Sequence, residues 1–68
     1  MFSEKIEIAL IKEKLNKTDL AEKMGTSVQN LYDKMKRDNF NEKQMQEVAE
    51  ALGAELIIKL KLKDGTEV

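Results

Sequence analysis

The chain has 68 residues, enough for one small domain, and it contains neither cysteine nor histidine. Disulfides are therefore excluded, and a zinc site would need carboxylate ligands alone, which is unusual. The formal net charge of −1 does not favour a nucleic-acid ligand, because dedicated nucleic-acid-binding domains are usually basic.

Two helices are predicted in the first part of the chain. Helical spacing of apolar residues predicts the first over about Glu4 to Leu15, and Ser3 is its expected N-cap, because a hydroxyl accepts from the amides of the first turn. The second is expected to begin after Asn16, which forms a capping-box pattern with Asp19. Gly25 is its expected end, since glycine adopts the left-handed C-terminal position at least cost.

Two further helices are predicted after a tight turn. Ser27 is a good N-cap for a third helix over about Val28 to Lys36. Asn41 and Gln44 repeat the capping-box pattern and predict the start of a fourth helix. Gly53 is expected to end it.

A change of period follows Gly53 and predicts one β-strand over residues 55–62. Alternate residues are apolar on one face of this segment, whereas the other face is mostly charged. Asp64-Gly65 is a hairpin-turn signal, but only three residues follow it, too few for a full return strand. The apolar face consists of Leu56, Ile58, Leu60 and Leu62.

This strand predicts a homodimer. An unpaired strand with an apolar face is a liability in a monomer, and small domains without disulfides or metals often oligomerise. Pairing with its copy about a two-fold axis would satisfy the backbone and bury the four apolar residues. The alternative is a strand folded back on the helices of its own chain.

The spacing around Gly25 predicts that the second and third helices form a helix-turn-helix. Ala21 is small where the third helix must cross close to the second, Gly25 permits the turn, and Leu31 packs from the far side. Such a crossing projects the start of the third helix outward, in the orientation used to enter a DNA major groove.

Residues Lys17 to Arg37, KTDLAEKMGTSVQNLYDKMKR, resemble the helix-turn-helix of the lambda-repressor-like (Cro/cI, or XRE) family. The segment after Gly53 resembles the C-terminal dimerisation strand of Cro-like variants. Lys34 departs from the family pattern, which usually has an aliphatic residue there. The matching core and cap positions are Leu20, Ala21, Met24, Gly25, Leu31, Asn16 and Ser27.

The resemblance implies a mainly α fold: a four-helix lambda-repressor-like bundle plus one C-terminal strand that pairs across a dimer. We expect a DNA-binding domain over residues 1–53, with its helix-turn-helix at 17–36, and a dimerisation segment over 54–68. The implied function is sequence-specific binding of double-stranded DNA by a transcriptional regulator, a repressor of phage or mobile-element type. The implied partners are a palindromic operator and a second copy of the chain.

The first turns of the third helix supply the predicted base contacts. Gln29 is the best reader, because its amide can pair bidentately with adenine, and Asn30 has the same chemistry. Val28 either touches a thymine methyl or packs inward, and Tyr32 either contacts DNA or lies over the protein surface. Asp33 repels phosphate unless it accepts from a cytosine amino group or pairs with a nearby cation.

The predicted phosphate contacts come from the only positive stretch of the chain. Residues 16–37 carry five basic and three acidic side chains, whereas residues 38–53 carry one basic and four acidic ones. Cationic side chains bind phosphate, and so do the free backbone amides at the start of a helix. The expected contacts are Lys17, Thr18, Ser27, Lys34, Lys36 and Arg37.

An enzyme is not expected. Histidine and cysteine are absent, both serines fit caps, and no glycine-rich phosphate loop is present. No cofactor, metal or small-molecule ligand is predicted. The absence of a signal-peptide core and of a membrane-spanning apolar run makes a cytoplasmic location the expectation. The competing hypothesis is a protein-interaction module, an adaptor or antirepressor, that keeps the fold without strong DNA binding.

Overall fold

The computed structural model describes all 68 residues and contains four α-helices. Their number agrees with the sequence-based prediction, and the protein is mainly helical. None of the helices is long and apolar enough to cross a membrane. The helices are α1 (Phe2–Glu13), α2 (Lys17–Met24), α3 (Val28–Arg37) and α4 (Glu42–Leu52).

The polar N-caps of α2, α3 and α4 form as their sequences predict. The Asn16 side chain accepts from the amide of Asp19 at 2.7 Å, and the Asp19 carboxylate accepts from the amide of Asn16 at 3.0 Å. Asn41 and Gln44 form the same reciprocal pair at the start of α4. The Ser27 hydroxyl accepts from the amide of Asn30 at 3.1 Å. Each cap satisfies amides that a helix start leaves unpaired, which fixes where the helix begins.

The predicted bounds of α1 and the cap role of Ser3 are wrong. The helix begins at Phe2 and ends at Glu13, because Lys14 adopts a left-handed conformation, with φ 56°, that closes the last turn without a glycine. Ser3 lies inside the first turn and contacts the end of α3. Its amide donates to the Asp38 carboxylate at 3.0 Å, and its hydroxyl lies 2.8 Å from both that carboxylate and the Met35 carbonyl. A charged acceptor at the end of α3 therefore supplies the cap that α1 lacks locally.

One hydrophobic core joins the four helices. Every buried residue is apolar, and no buried polar side-chain atom lacks a hydrogen-bond partner. The Phe2 and Phe40 rings pack edge to face, with centroids 5.0 Å apart, at the end of the molecule where Ser3 meets Asp38. The core cluster consists of Ile6, Leu10, Leu20, Ala21, Leu31, Met35, Phe40 and Val48.

The predicted strand over residues 55–62 is not formed as a strand within the chain. Residues 54–60 have no regular structure, and the only ladder contact is an isolated antiparallel bridge between Lys61 and Glu67. Leu60 and Val68 exchange both backbone hydrogen bonds, at 2.8 and 2.9 Å, around a turn at Gly65. A strand needs a partner along its length, and the last three residues can pair only with its end.

The C-terminal segment, residues 54–68, extends away from the helices. Only Leu56 among these residues is half-buried, and all the others are exposed. The radius of gyration is 13.3 Å, whereas a compact domain of this length has a value of about 11 Å. The segment is therefore not folded back on the helices, which was the alternative to pairing with a second chain.

Candidate nucleic-acid interface

Helices α2 and α3 meet at a sharp turn and pack through small and apolar residues. Gly25 ends α2 in the left-handed region, with φ 73°, and the amide of Thr26 donates back to the Ala21 carbonyl at 3.0 Å. Ala21 is buried on α2, and Leu31 is buried on α3. The two helices are thus separate, and their packing faces are turned to the core.

The opposite side of α3 is open to solvent. Gln29, Asn30, Tyr32 and Asp33 are all exposed. Val28 is half-buried and packs against the core, so it lies at the edge of this surface. Four of the five predicted base-contacting residues therefore share one accessible face, which we call the α3 face. It comprises Gln29, Asn30, Tyr32 and Asp33.

Hydrogen bonds within the α3 face order two of its side chains. The Gln29 amide nitrogen donates to the Asp33 carboxylate at 3.1 Å, and the Asn30 amide nitrogen donates to the Thr26 hydroxyl at 3.3 Å. Asp33 forms no ion pair with Lys36 or Arg37, although the sequence allows one. Its carboxylate instead accepts a hydrogen bond from Gln29, one turn earlier in the same helix.

Lys17 lies beside the α3 face but is already engaged. Its ammonium nitrogen is 3.0 Å from the Glu7 carboxylate of α1 and 5.2 Å from the centroid of the Tyr32 ring. Both contacts stabilise the cation. Tyr32 therefore faces Lys17, and Thr18 is exposed next to it. The sequence does not predict the ion pair of Glu7 with Lys17, because the two residues lie on different helices and follow no local spacing.

The end of α3 carries three cations without an acidic partner. Lys36 and Arg37 are exposed and Lys34 is half-buried, and the protein's two ion pairs involve none of them. Cations in a last helical turn are favoured by the partial negative charge of the C-terminus. Ser27, predicted to contact phosphate, has its hydroxyl oxygen accepting from the Asn30 amide as a cap. Its hydroxyl hydrogen is still available to a ligand.

Lys34 and Arg37 also line a groove between α3 and the start of α4. Asp33 and Glu47 are on the walls of the same groove, so its charge is mixed. Met24, Leu31 and Phe40 are its three hydrophobic lining residues. The groove thus has one α4 carboxylate, that of Glu47, on the same walls as two of the cations predicted to contact phosphate.

The predicted dimer residues lie in the C-terminal segment and are mostly exposed. Leu56 is half-buried, whereas Ile58, Leu60 and Leu62 are 57%, 66% and 48% exposed. Leu60 and Val68 form a hydrogen-bonded antiparallel pair, so their side chains share one side of the hairpin. Leu62, two residues further along the paired part of the hairpin, shares that side, and the sequence alternation predicts the same for Ile58. This apolar face of the C-terminal segment is not covered within the chain.

The side chains of the α3 face offer hydrogen-bond donors and acceptors beside unpaired cations, which suits a polar, anionic ligand. No group of three His, Cys, Asp or Glu side chains that could hold a metal ion is formed. Comparisons with protein-family models, with curated proteins and with solved structures found no match. The function proposed for this surface therefore rests on its geometry and on its resemblance in sequence.

Proposed function

We propose that the protein is a sequence-specific, double-stranded-DNA-binding transcriptional regulator of the lambda-repressor-like type, a repressor of phage or mobile-element kind. The α3 face carries the proposal. It is exposed at the start of a helix that follows a tight turn, while Leu31 on the other side is buried. A helix held in this way can place its first two turns in a major groove, which is wide enough to admit it.

Within this proposal, Gln29 and Asn30 contact base edges, and Tyr32 and Val28 contact the groove at its sides. The unpaired cations at the end of α3, together with Lys17 and Thr18, contact phosphates. Phosphate contacts give affinity without sequence preference, and base contacts give the preference. The half-buried position of Val28 leaves only part of its side chain for a thymine methyl group.

We further propose that two copies bind a palindromic operator through a dimer formed by residues 54–68. The uncovered apolar face and the unpaired backbone of residues 55–59 support this arrangement. Antiparallel pairing of this segment with its copy would complete the strand that the single chain does not form. The two α3 helices would then lie about 34 Å apart, one turn of the duplex.

The competing proposal is a protein-interaction module that keeps the fold but binds DNA weakly. Asp33 on the α3 face and Glu47 in the adjoining groove favour it, because carboxylates near the binding surface repel phosphate. The formal net charge of −1 points the same way. The two functions differ in how binding responds to salt.

Fluorescence anisotropy with a labelled random-sequence duplex separates them. If the protein binds DNA, affinity falls steeply between about 50 and 200 mM salt, because phosphate contacts release counterions. The Arg37→Ala variant should bind all duplexes more weakly and reduce the salt slope by about one. Lys63→Ala, which removes an exposed cation at the hairpin turn, is the matched control and should leave the slope unchanged. Absence of binding even at low salt would favour the interaction module.

A further inference from the structure

Asp33 is paired with Gln29 on the surface proposed to meet DNA bases. The two residues lie one helical turn apart, and the Gln29 amide nitrogen is 3.1 Å from a carboxylate oxygen of Asp33. Neither side chain makes any other hydrogen bond in the protein. Both are exposed, so the unused donor and acceptor positions of the pair are open to a ligand.

The chemistry of the pair fixes which end of the Gln29 amide faces Asp33. A carboxylate only accepts hydrogen bonds, so the amide nitrogen must face it and the amide oxygen must point away. The reversed amide would place two acceptors in contact. One N–H of Gln29 is used by Asp33, which leaves the other N–H and the carbonyl oxygen for a ligand.

One free donor beside one free acceptor matches a single base edge in the major groove. Adenine presents its N7 acceptor next to its N6 amino donor, whereas guanine presents two acceptors, N7 and O6. A Gln29 amide held by Asp33 pairs with adenine in two places but would set its oxygen against an acceptor of guanine. A free amide can turn over and offer its nitrogen to guanine, which weakens the discrimination.

We propose that Asp33 is a positioning residue that holds the Gln29 amide in the orientation that reads adenine and rejects guanine. The inference rests on the proposed DNA-binding function and assigns its base preference. It also explains why a carboxylate lies on this surface. Repulsion between Asp33 and phosphate lowers the affinity for every DNA sequence, whereas the hydrogen bond from Gln29 to Asp33 increases the difference in affinity between sequences. Asp33 then need not touch a base itself.

Selection of bound sites from a random duplex library, followed by affinity measurements on adenine and guanine versions of the selected site, tests this. The wild-type protein should select adenine at one position of each half-site. Asp33→Ala should still bind DNA but lose at least about fivefold in adenine-over-guanine discrimination, approaching the value of Gln29→Ala. In the Gln29→Ala background, Asp33→Ala should leave the discrimination unchanged.

Glu22→Ala is the matched charge control, because Glu22 is an exposed acid on α2 outside the α3 face. It should raise affinity for all duplexes without changing base preference. If Asp33→Ala keeps the wild-type discrimination between adenine and guanine, the inference is overturned. It is also overturned if Asp33→Ala instead loses a preference for cytosine at a neighbouring position, because Asp33 would then contact that base directly. If the wild-type protein binds no duplex at low salt, the proposed function fails and this inference fails with it.

Discussion

Lys17 is a predicted phosphate contact whose ammonium group is already paired within the protein. Its ammonium group is paired with Glu7 and lies over the Tyr32 ring, at the edge of the α3 face. Under the proposed function, Lys17 must exchange the Glu7 carboxylate for a phosphate oxygen when it binds. In that case, Glu7 would compete with DNA for the same cation.

We expect Glu7→Gln to tighten duplex binding by up to about fivefold, because an exposed ion pair contributes at most ~1 kcal/mol. Glu4→Gln makes the same charge change on α1 at an exposed residue that has no ion pair. It should have a smaller effect in anisotropy titrations at low salt. Equal effects of the two variants would mean that Glu7 acts only through general charge and does not restrain Lys17.

Asp38 is the second residue with a role that its neighbours in sequence do not suggest. It ends α3 in the left-handed region, with φ 52°, and accepts from the hydroxyl and amide of Ser3 at the start of α1. These hydrogen bonds hold the pKa of the Asp38 carboxyl below its ordinary value of 3.8. The ionised Asp38 carboxylate therefore stabilises the contact between α1 and α3.

Because the pKa of Asp38 is lowered in the folded protein, this carboxyl binds a proton more readily in the unfolded chain than in the folded one. The stability that Asp38 contributes is thus present above pH 3.8 and is lost as the pH falls through that value toward the lowered pKa. We expect Asp38→Asn to lower the thermal midpoint at pH 7 and to lose less stability than the wild type on acidification. Asparagine tolerates the left-handed conformation, so the comparison isolates the charge.

Asp64→Asn is the control for this measurement. The pKa of Asp64 is also lowered, by hydrogen bonds from Thr66, but these lie in the C-terminal hairpin and connect no helices. Its substitution should leave the thermal midpoint of the helices unchanged. If Asp38→Asn loses as much stability on acidification as the wild type, the hydrogen bonds between Ser3 and Asp38 contribute nothing to the acid transition.

The helix starts could be predicted residue by residue where the signal is local. Asn16, Ser27 and Asn41 each bond an amide three residues ahead, so their pattern is visible in a short window of sequence. The contacts of Ser3 with Asp38 span 35 residues and depend on the packed fold. For that reason, the cap role assigned to Ser3 from its position alone is wrong.

At the scale of elements, the relation of α2 to α3 depends on one turn. Gly25 has φ 73°, and a Cβ added there would meet no atom within 4 Å. Any cost of substitution therefore comes from the backbone conformation and not from a clash. The turn was predictable because left-handed helix ends favour glycine. The end of α1 was not, because Lys14 adopts the same conformation without that signal.

We expect Gly25→Ala to destabilise the protein by about 1–2 kcal/mol, the cost of placing an L-residue in the left-handed region. For a domain of this size, each 1 kcal/mol lowers the thermal midpoint by roughly 4–8 °C. Gly25→Asn should cost less, and Gly65→Ala, in the hairpin turn, should not affect the unfolding of the helices. A Gly25→Ala midpoint equal to that of the wild type would contradict the role assigned to this turn.

At the scale of the whole molecule, the C-terminal segment is the feature that a single chain leaves incomplete. The Asp64-Gly65 turn forms as its sequence predicts. The strand itself does not, because its pairing partner is not supplied by the chain. Sequence periodicity predicts which side chains share a face, but it does not identify what covers that face.

A comparison of two neighbouring isoleucines tests the proposed dimer. The sequence alternation predicts that Ile58 shares the apolar face with Leu60 and that Ile57 falls on the charged face. Both side chains are more than half exposed. In sedimentation experiments at micromolar concentration, we expect the wild type to be a dimer and Ile58→Glu to be a monomer. Ile57→Glu introduces the same charge and should remain a dimer. A monomeric wild type, or equal dissociation by both substitutions, would contradict the proposed interface.

The most direct test of DNA binding by the α3 face is chemical-shift mapping of labelled protein titrated with duplex at low salt. We expect the largest changes at the amides of residues 27–33 and at Lys17, with small changes across the second half of α4. Changes confined to α4 or to residues 54–68, or no change at all at low salt, would contradict DNA binding by the α3 face.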